Sequence, residues 1–252
     1  RSADELEEAM REWTEPVNNV VYADVQGAYG YRYRGRIPLR PMANAWGPVP
    51  GWTGQHEWTG EIPFEAMPQI RNPQAGYAVT CNQRVTNAAY PYYINTYFVP
   101  EYRARRITTR LQDLQSQAAT VEDMAAVHAD RVSIPAQVFV QTLVQVQPTD
   151  PQVAAARELL LDWDCSMDRT SAAAALYGAA KTYWLADVLN VALGRFAAEA
   201  LGSSGIGRGA STHATQLYAQ AVTAMARGET AMLPPGQTWP GLLGSALERA
   251  VV

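Results

Sequence analysis

Apolar side chains recur at helical spacing from the first residues: Leu6, Ala9, Met10 and Trp13 follow Ser2-Ala3-Asp4-Glu5, which has the form of a capping box. This predicts a short amphipathic helix, and a chain opening in this way is expected to start inside a larger architecture. Between residues 17 and 34 the pattern changes. β-Branched and aromatic residues flank Val25-Gln26-Gly27-Ala28, predicting two strands joined by a tight turn. Residues 35–75 hold seven of the sixteen prolines together with Trp46, Trp52, Trp58 and Phe64, and predict a long loop-rich excursion anchored by aromatic rings. Alternation over residues 76–81 predicts a further strand, ended by the turn-rich stretch 82–91.

Beyond Pro100 the period becomes helical and stays so. Ile107, Leu111 and Leu114 form one stripe, and Thr120-Val121-Glu122-Asp123 resembles a second capping box ahead of Met124 and Val127. Pro135, Pro148 and Pro151 punctuate the helices that follow. The Ala-rich run from Ser171 to Leu201 predicts the longest helix, stopped by Gly202-Ser203-Ser204-Gly205. No repeat of solenoid period occurs. The resulting expectation is an α+β chain with a β-rich portion over residues 1–98 and a helical portion over 99–252, together an incomplete single domain.

Composition narrows the function classes. Hydrophobic residues make up 48% and charged residues 17%, as in an ordinary globular protein. A net charge of -4 gives no broad positive field, which argues against a nucleic-acid partner, and no polybasic patch points to a membrane surface. The most apolar run is interrupted by Lys181, Asp187, Arg195 and Glu199, so it reads as a buried helix and not a membrane span. The start of the chain lacks the basic and apolar regions of a signal peptide, so any export signal would lie upstream. Cys81 and Cys165 match neither zinc nor redox spacing.

Most candidate chemistry has a plainer explanation. The run Gly202 to Gly209 follows a predicted helix and lacks the P-loop Lys-Ser/Thr, so it reads as a helix-terminating loop. Asp162, Asp164 and Asp168 lack the turn glycine and final glutamate of a calcium loop, with Met167 and Ala173 in those places. His56, His128 and His213 form no i,i+4 pair, and no Gly-x-Ser-x-Gly elbow supports a triad. Glu57, Glu61 and Glu65 beside Trp52 and Trp58 would suit a glycosidase, although exposed loop acids are the commoner explanation. Among Arg103, Arg105, Arg106 and Arg110, a rotation of about 100° per residue places Arg103 nearest the apolar stripe and Arg105 nearly opposite. An inward Arg103 would be either a structural clamp or part of a site. Asn82, just after the predicted strand, reads by default as a turn former, and Cys81 before it as a small buried hydrophobe.

A set of ordered stretches changes that default. Val21-Tyr22-Ala23-Asp24-Val25, Gly30-Tyr31, Pro48-Val49-Pro50-Gly51-Trp52, Trp58-Thr59-Gly60, Ile62-Pro63-Phe64 and Asn72-Pro73 lead into Gly76-Tyr77-Ala78-Val79-Thr80-Cys81-Asn82-Gln83-Arg84, Tyr90-Pro91 and Tyr102-Arg103-Ala104-Arg105-Arg106-Ile107. Together they resemble the penicillin acylase family of N-terminal-nucleophile amidases, most clearly over residues 17–107. Val121-Glu122-Asp123-Met124, Leu161-Asp162-Trp163-Asp164 and Ser171-Ala172-Ala173 continue the likeness more loosely.

The resemblance implies the four-layer αββα fold and a precursor that cleaves itself to expose a serine, whose α-amino group acts as base in attack on an amide. It makes Asn82 an oxyanion donor and Arg103 its support. The nucleophile has no match in this chain, Ser2 lying in a predicted helix cap. The expected reaction is hydrolysis of linear N-acyl amides, such as acylated β-lactams or N-acyl homoserine lactones, by a parent whose isolated fragment is inactive. Expected partners are the substrate and the remaining precursor segments, including the small α subunit. A periplasmic or extracellular location is implied as well. No cofactor is required, and the calcium of several members is not expected here, because residues 25–112 contain no Asp and Tyr97 stands near the expected ligand position. Asn18 falls close to an acyl-pocket position of the family, most of whose pocket residues would precede residue 1. Two alternatives remain: a non-catalytic carbohydrate- or protein-binding module built on Trp46, Trp52 and Trp58, and a degenerate structural relative of the acylases.

Overall fold

The computed structural model describes residues 2–115, 118–198 and 212–252, with side chains of 212–215 also outside the description. It divides into two compact units, Arg1–Asp123 and Met124–Val252.

The first unit opens with helix α1 (Ala3–Arg11), started by the predicted capping box: Ser2 Oγ accepts from the Glu5 amide and Glu5 from the Ser2 amide. The predicted hairpin follows as β1 (Asn18–Ala23) and β2 (Tyr29–Arg34), antiparallel, with Asn18 opposite Arg34 and Ala23 opposite Tyr29. Asp24 organises the turn. Its Oδ1 accepts from the amides of Gln26 and Ala28, each at 2.9 Å, while Oδ2 accepts from Ala3 at 3.0 Å, so one carboxylate ties the hairpin to the start of α1.

The third strand is β3 (Gln69–Arg71), paired with β2, in the stretch expected to be all loop. Gly30 makes this pairing possible, since a Cβ there would stand 2.0 Å from the Ile70 carbonyl oxygen. The strand expected over residues 76–81 does not form. A strand needs a ladder partner, and this segment has none among the described residues; Gln83 satisfies part of it instead, accepting from the Cys81 amide and donating to the Val79 carbonyl. Ile37, Ile62 and Met67 form a small core, with Tyr33, Leu39, Tyr92 and Ile94 against it. The other buried feature is charged. Arg32, 4% exposed, reaches Glu7, Gln69 and the Phe64 carbonyl and lies 3.8 Å from the Phe64 ring centroid. Helix α2 (Tyr102–Asp113) also belongs to this unit.

Helix α3 (Val121–His128) crosses the division and begins with the second expected box, Asp123 in its first turn exchanging hydrogen bonds with the preceding Thr120. The second unit is otherwise helical: α4 (Ile134–Leu143), α5 (Pro151–Leu161), α6 (Ala172–Leu193), α7 (Thr212–Arg227) and α8 (Trp239–Val251). Ser133, Asp150 and Ser171 cap the first three of these, and Pro135 and Pro151 occupy their first turns, where a missing N–H costs nothing. Helix α6 ends earlier than its apolar pattern suggests. Gly194, at φ 53°, takes a backbone conformation that side chains resist and closes α6 through its amide on Asn190, so the helix stops at Leu193 and not Leu201. The Gly202 to Gly209 run lies outside the described residues.

Helix α6 packs on α5, α7 and α8, and α4 packs on α5, α7 and α8. Their shared core stacks Phe139 against Tyr177 and Trp184 edge to face, with Trp239 tilted onto Trp184. No helix among the described residues is long and apolar enough to cross a membrane.

Candidate active site

Asn82 sits at a sharp bend with φ 65°, a left-handed conformation that asparagine tolerates better than most side chains. The bend is fixed from both sides. Gln83 staples its entry, and the Asn82 carbonyl accepts from the Val99 amide at 2.9 Å. Cys81 turns inward and is buried, so its thiol is pushed up, with the positive charge of Arg103 opposing that rise. Asn82 turns outward and is exposed.

Arg103, in the first turn of α2, reaches back to this bend. Its Nη2 donates to the Cys81 carbonyl at 2.6 Å and to Asn82 Oδ1 at 2.9 Å. Periodicity placed Arg103 on the inward face, but the residue is exposed and Ala104 is the buried position of α2. The first turn has no preceding helical turn to cover it, so its long side chain lies across the neighbouring segment. Arg105 is exposed, as expected. Gln112 and Gln115 also reach from the α2 region to the Tyr77 hydroxyl and the Ala75 carbonyl, stitching residues 75–82 to this helix.

The chemical result is an oriented carboxamide. With Oδ1 engaged by a cation, the remaining end of Asn82 is the Nδ2 amide NH2, a pure donor, and it makes no hydrogen bond among the described residues. Asn82 borders a cavity of about 570 Å³ that also takes in Asn18, Tyr33, Arg40, Asn95 and Phe98. Asn18 therefore shares a cavity with Asn82, its own Oδ1 accepting from Arg34 Nε at 2.8 Å. Tyr97 lines the same space. Sequence reasoning overlooked Arg40, Phe98 and the stapling role of Gln83; the Tyr-Pro-flanked aromatic run after residue 90 was the available signal.

The other singled-out residues lie elsewhere. Trp46, Trp52 and Trp58 are 75%, 89% and 70% exposed. Glu61 faces Arg36 at 3.6 Å, Glu65 pairs with Arg11, and His56 Nδ1 contacts Asn44 Oδ1. Asp162 caps α5, Asp164 accepts from the Ser166 amide, and Asp168 is held low by its bonds to Arg131 and Ser166. Ser2 is a helix cap, and the His213 side chain is outside the description. Cys81 and Cys165 are both free and buried. No cluster of three or more His, Cys, Asp or Glu suited to a metal occurs among the described residues, and the phenol of Tyr97 is a poor donor for calcium.

Comparison with known proteins identifies the family. The family model described as penicillin amidase matches residues 1–252. Penicillin acylase 2 proenzyme of Pseudomonas sp. (strain SE83) is 42% identical over 177 residues, covering 69% of this chain and 22% of that protein. The acyl-homoserine lactone acylase QuiP of Pseudomonas aeruginosa is 28% identical over 187 residues, again 22% of its length. The chain thus spans about a fifth of these relatives. In structure, a thermostable penicillin G acylase from Alcaligenes faecalis superposes with a TM-score of 0.72 at 21% identity, over 99% of this chain and 48% of that one, which supports the shared α+β fold. With a family match along its whole length and that identity to a proenzyme, the chain belongs to the penicillin amidase family.

Proposed function

We propose that this chain supplies the oxyanion-stabilising part of an amidohydrolase, the nucleophile lying in another segment of the parent protein. The observation that carries this reading is the Asn82 carboxamide, pinned at Oδ1 by Arg103 and left with a free donor beside a cavity. A serine attacking an amide carbonyl drives negative charge onto the carbonyl oxygen, and a donor already fixed in place stabilises it without reorganisation. Arg103 acts through Asn82 as a positioning residue: its charge polarises the amide and prevents it from turning over. The acyl-enzyme formed by loss of the amine is then hydrolysed by water. Acylated β-lactam nuclei and N-acyl homoserine lactones are the substrate types, in a precursor processed into two subunits and exported to the periplasm or beyond.

The test uses the full-length parent. Asn82→Ala lowers kcat by about 10²–10³-fold, the usual effect of losing one oxyanion donor, while self-cleavage and thermal stability stay near wild type. Unchanged turnover refutes the assignment. The isolated 252-residue chain shows no amidase turnover under the same assay.

A further inference from the structure

Asn82 holds a left-handed backbone conformation, at φ 65°, which a residue with a side chain keeps only where its surroundings fix it. A sheet does not supply that hold, since residues 76–81 pair with no strand among the described residues. Gln83 does. Its half-buried carboxamide turns back along its own chain, Oε1 accepting from the Cys81 amide at 2.6 Å and Nε2 donating to the Val79 carbonyl at 3.3 Å. Both ends of the side chain are thus engaged on the segment that leads into the bend, and the bond to Cys81 closes around the Asn82 backbone.

The Cys81 backbone carries this hold to the site. Its N–H is taken by Gln83, and its carbonyl accepts from Arg103 Nη2 at 2.6 Å. The same nitrogen donates to Asn82 Oδ1 at 2.9 Å. One nitrogen serves both acceptors, so the direction of the Cys81 carbonyl decides where Arg103 meets the Asn82 side chain. Resting on the amidase reading above, we infer that Gln83 is a further positioning residue for the reaction, aiming the Asn82 donor through the Cys81 backbone and Arg103. Gln83 itself touches no reacting atom. Its contribution is realised only through the donor that it orients, so its loss lowers kcat without weakening substrate binding, and has no effect once that donor is gone.

The test is a double-mutant cycle in the full-length enzyme, run on whichever of a panel of N-acyl p-nitroanilides the wild type hydrolyses fastest. Gln83→Met keeps the length of the side chain and removes both hydrogen bonds. It is expected to lower kcat about tenfold, the scale of one to two lost hydrogen bonds, with KM unchanged. Added to Asn82→Ala, it is expected to cause no further loss. A tenfold loss repeated on the Asn82→Ala background, a rise in KM at constant kcat, or wild-type kinetics in Gln83→Met each overturns the inference and leaves the amidase reading intact, since that reading stands on Asn82→Ala alone. Full activity in Asn82→Ala, or no turnover of any p-nitroanilide by the wild type, removes both. Should Gln83→Met fail to process, Gln83→Asn decides: it keeps the amide but is one methylene too short to hold both backbone groups, so it must show the same loss in kcat, and wild-type kcat there overturns the inference.

Discussion

The two units are held together by different forces. Trp184, Phe139, Leu143, Leu160, Leu189, Leu243, Leu247, Val188 and Val222, the largest fully buried side chains among the described residues, all belong to the helical second unit. The first unit has a modest apolar cluster and relies on directional bonds: Asp24 to three amides, Arg32 to three partners, Arg103 to the bend at Asn82. Dispersion and burial are non-directional, so a packed core tolerates small shifts of its contents. A hydrogen bond specifies distance and angle. The oriented amide of Asn82 therefore sits in the region built from the kind of bond that can orient it.

The contrast is tested most strongly in the second unit. Trp184→Ala is expected to cost about 3–5 kcal/mol, because the ring contacts Phe139, Tyr218 and Trp239 and its removal leaves a cavity. Hydrogen exchange in α4, α6 and α8 should accelerate accordingly, and unchanged exchange there would show that the aromatic cluster does not hold this unit. A smaller effect is expected in the first unit from Gly30→Val. The new Cβ meets the Ile70 backbone and β3 must move away, at a cost of about 1–3 kcal/mol. The readout is local: the amides of Tyr33 and Asn72, bonded to the Pro68 and Tyr29 carbonyls, lose protection. Continued protection of both would mean that the sheet tolerates a side chain at this point.

Local signals were legible in the sequence and assembled ones were not. The caps at Ser2 and Thr120 and the hairpin around Gly27 depend on residues within a few positions of one another, so their chemistry can be read in place. Strand β3 escaped because three residues between Pro68 and Pro73 are too short to show a period. Residues 76–81 alternate like a strand, yet pairing depends on a partner that local pattern does not reveal. Gly194 was lost inside an Ala- and Leu-rich run, although its positive φ ends the helix. At the site, ordered motifs brought out Asn82 and Arg103, while the reasoning from helix periodicity misplaced Arg103. The cavity joins residues 17–19, 33–40 and 82–99, a convergence that no single window contains.

The smallest effect should separate charge from geometry in the bonded unit. Asp24 lies below its ordinary value because backbone amides, first Ala3 and then Ala28, donate to its charged form. The unfolded chain therefore takes up this proton more readily than the folded one. Its contribution is present above the ordinary Asp value of about 3.9 and is lost as pH falls through the lower folded value. Asp24→Asn keeps one of the two acceptor oxygens, replaces the other with a donor and removes the titration. Urea midpoints should thus show wild type ahead of the variant near neutrality, with the gap closing in acid as the wild-type carboxylate is protonated. A gap constant down to the lowest pH would assign the hairpin's hold on α1 to hydrogen-bond geometry alone, leaving no part for charge.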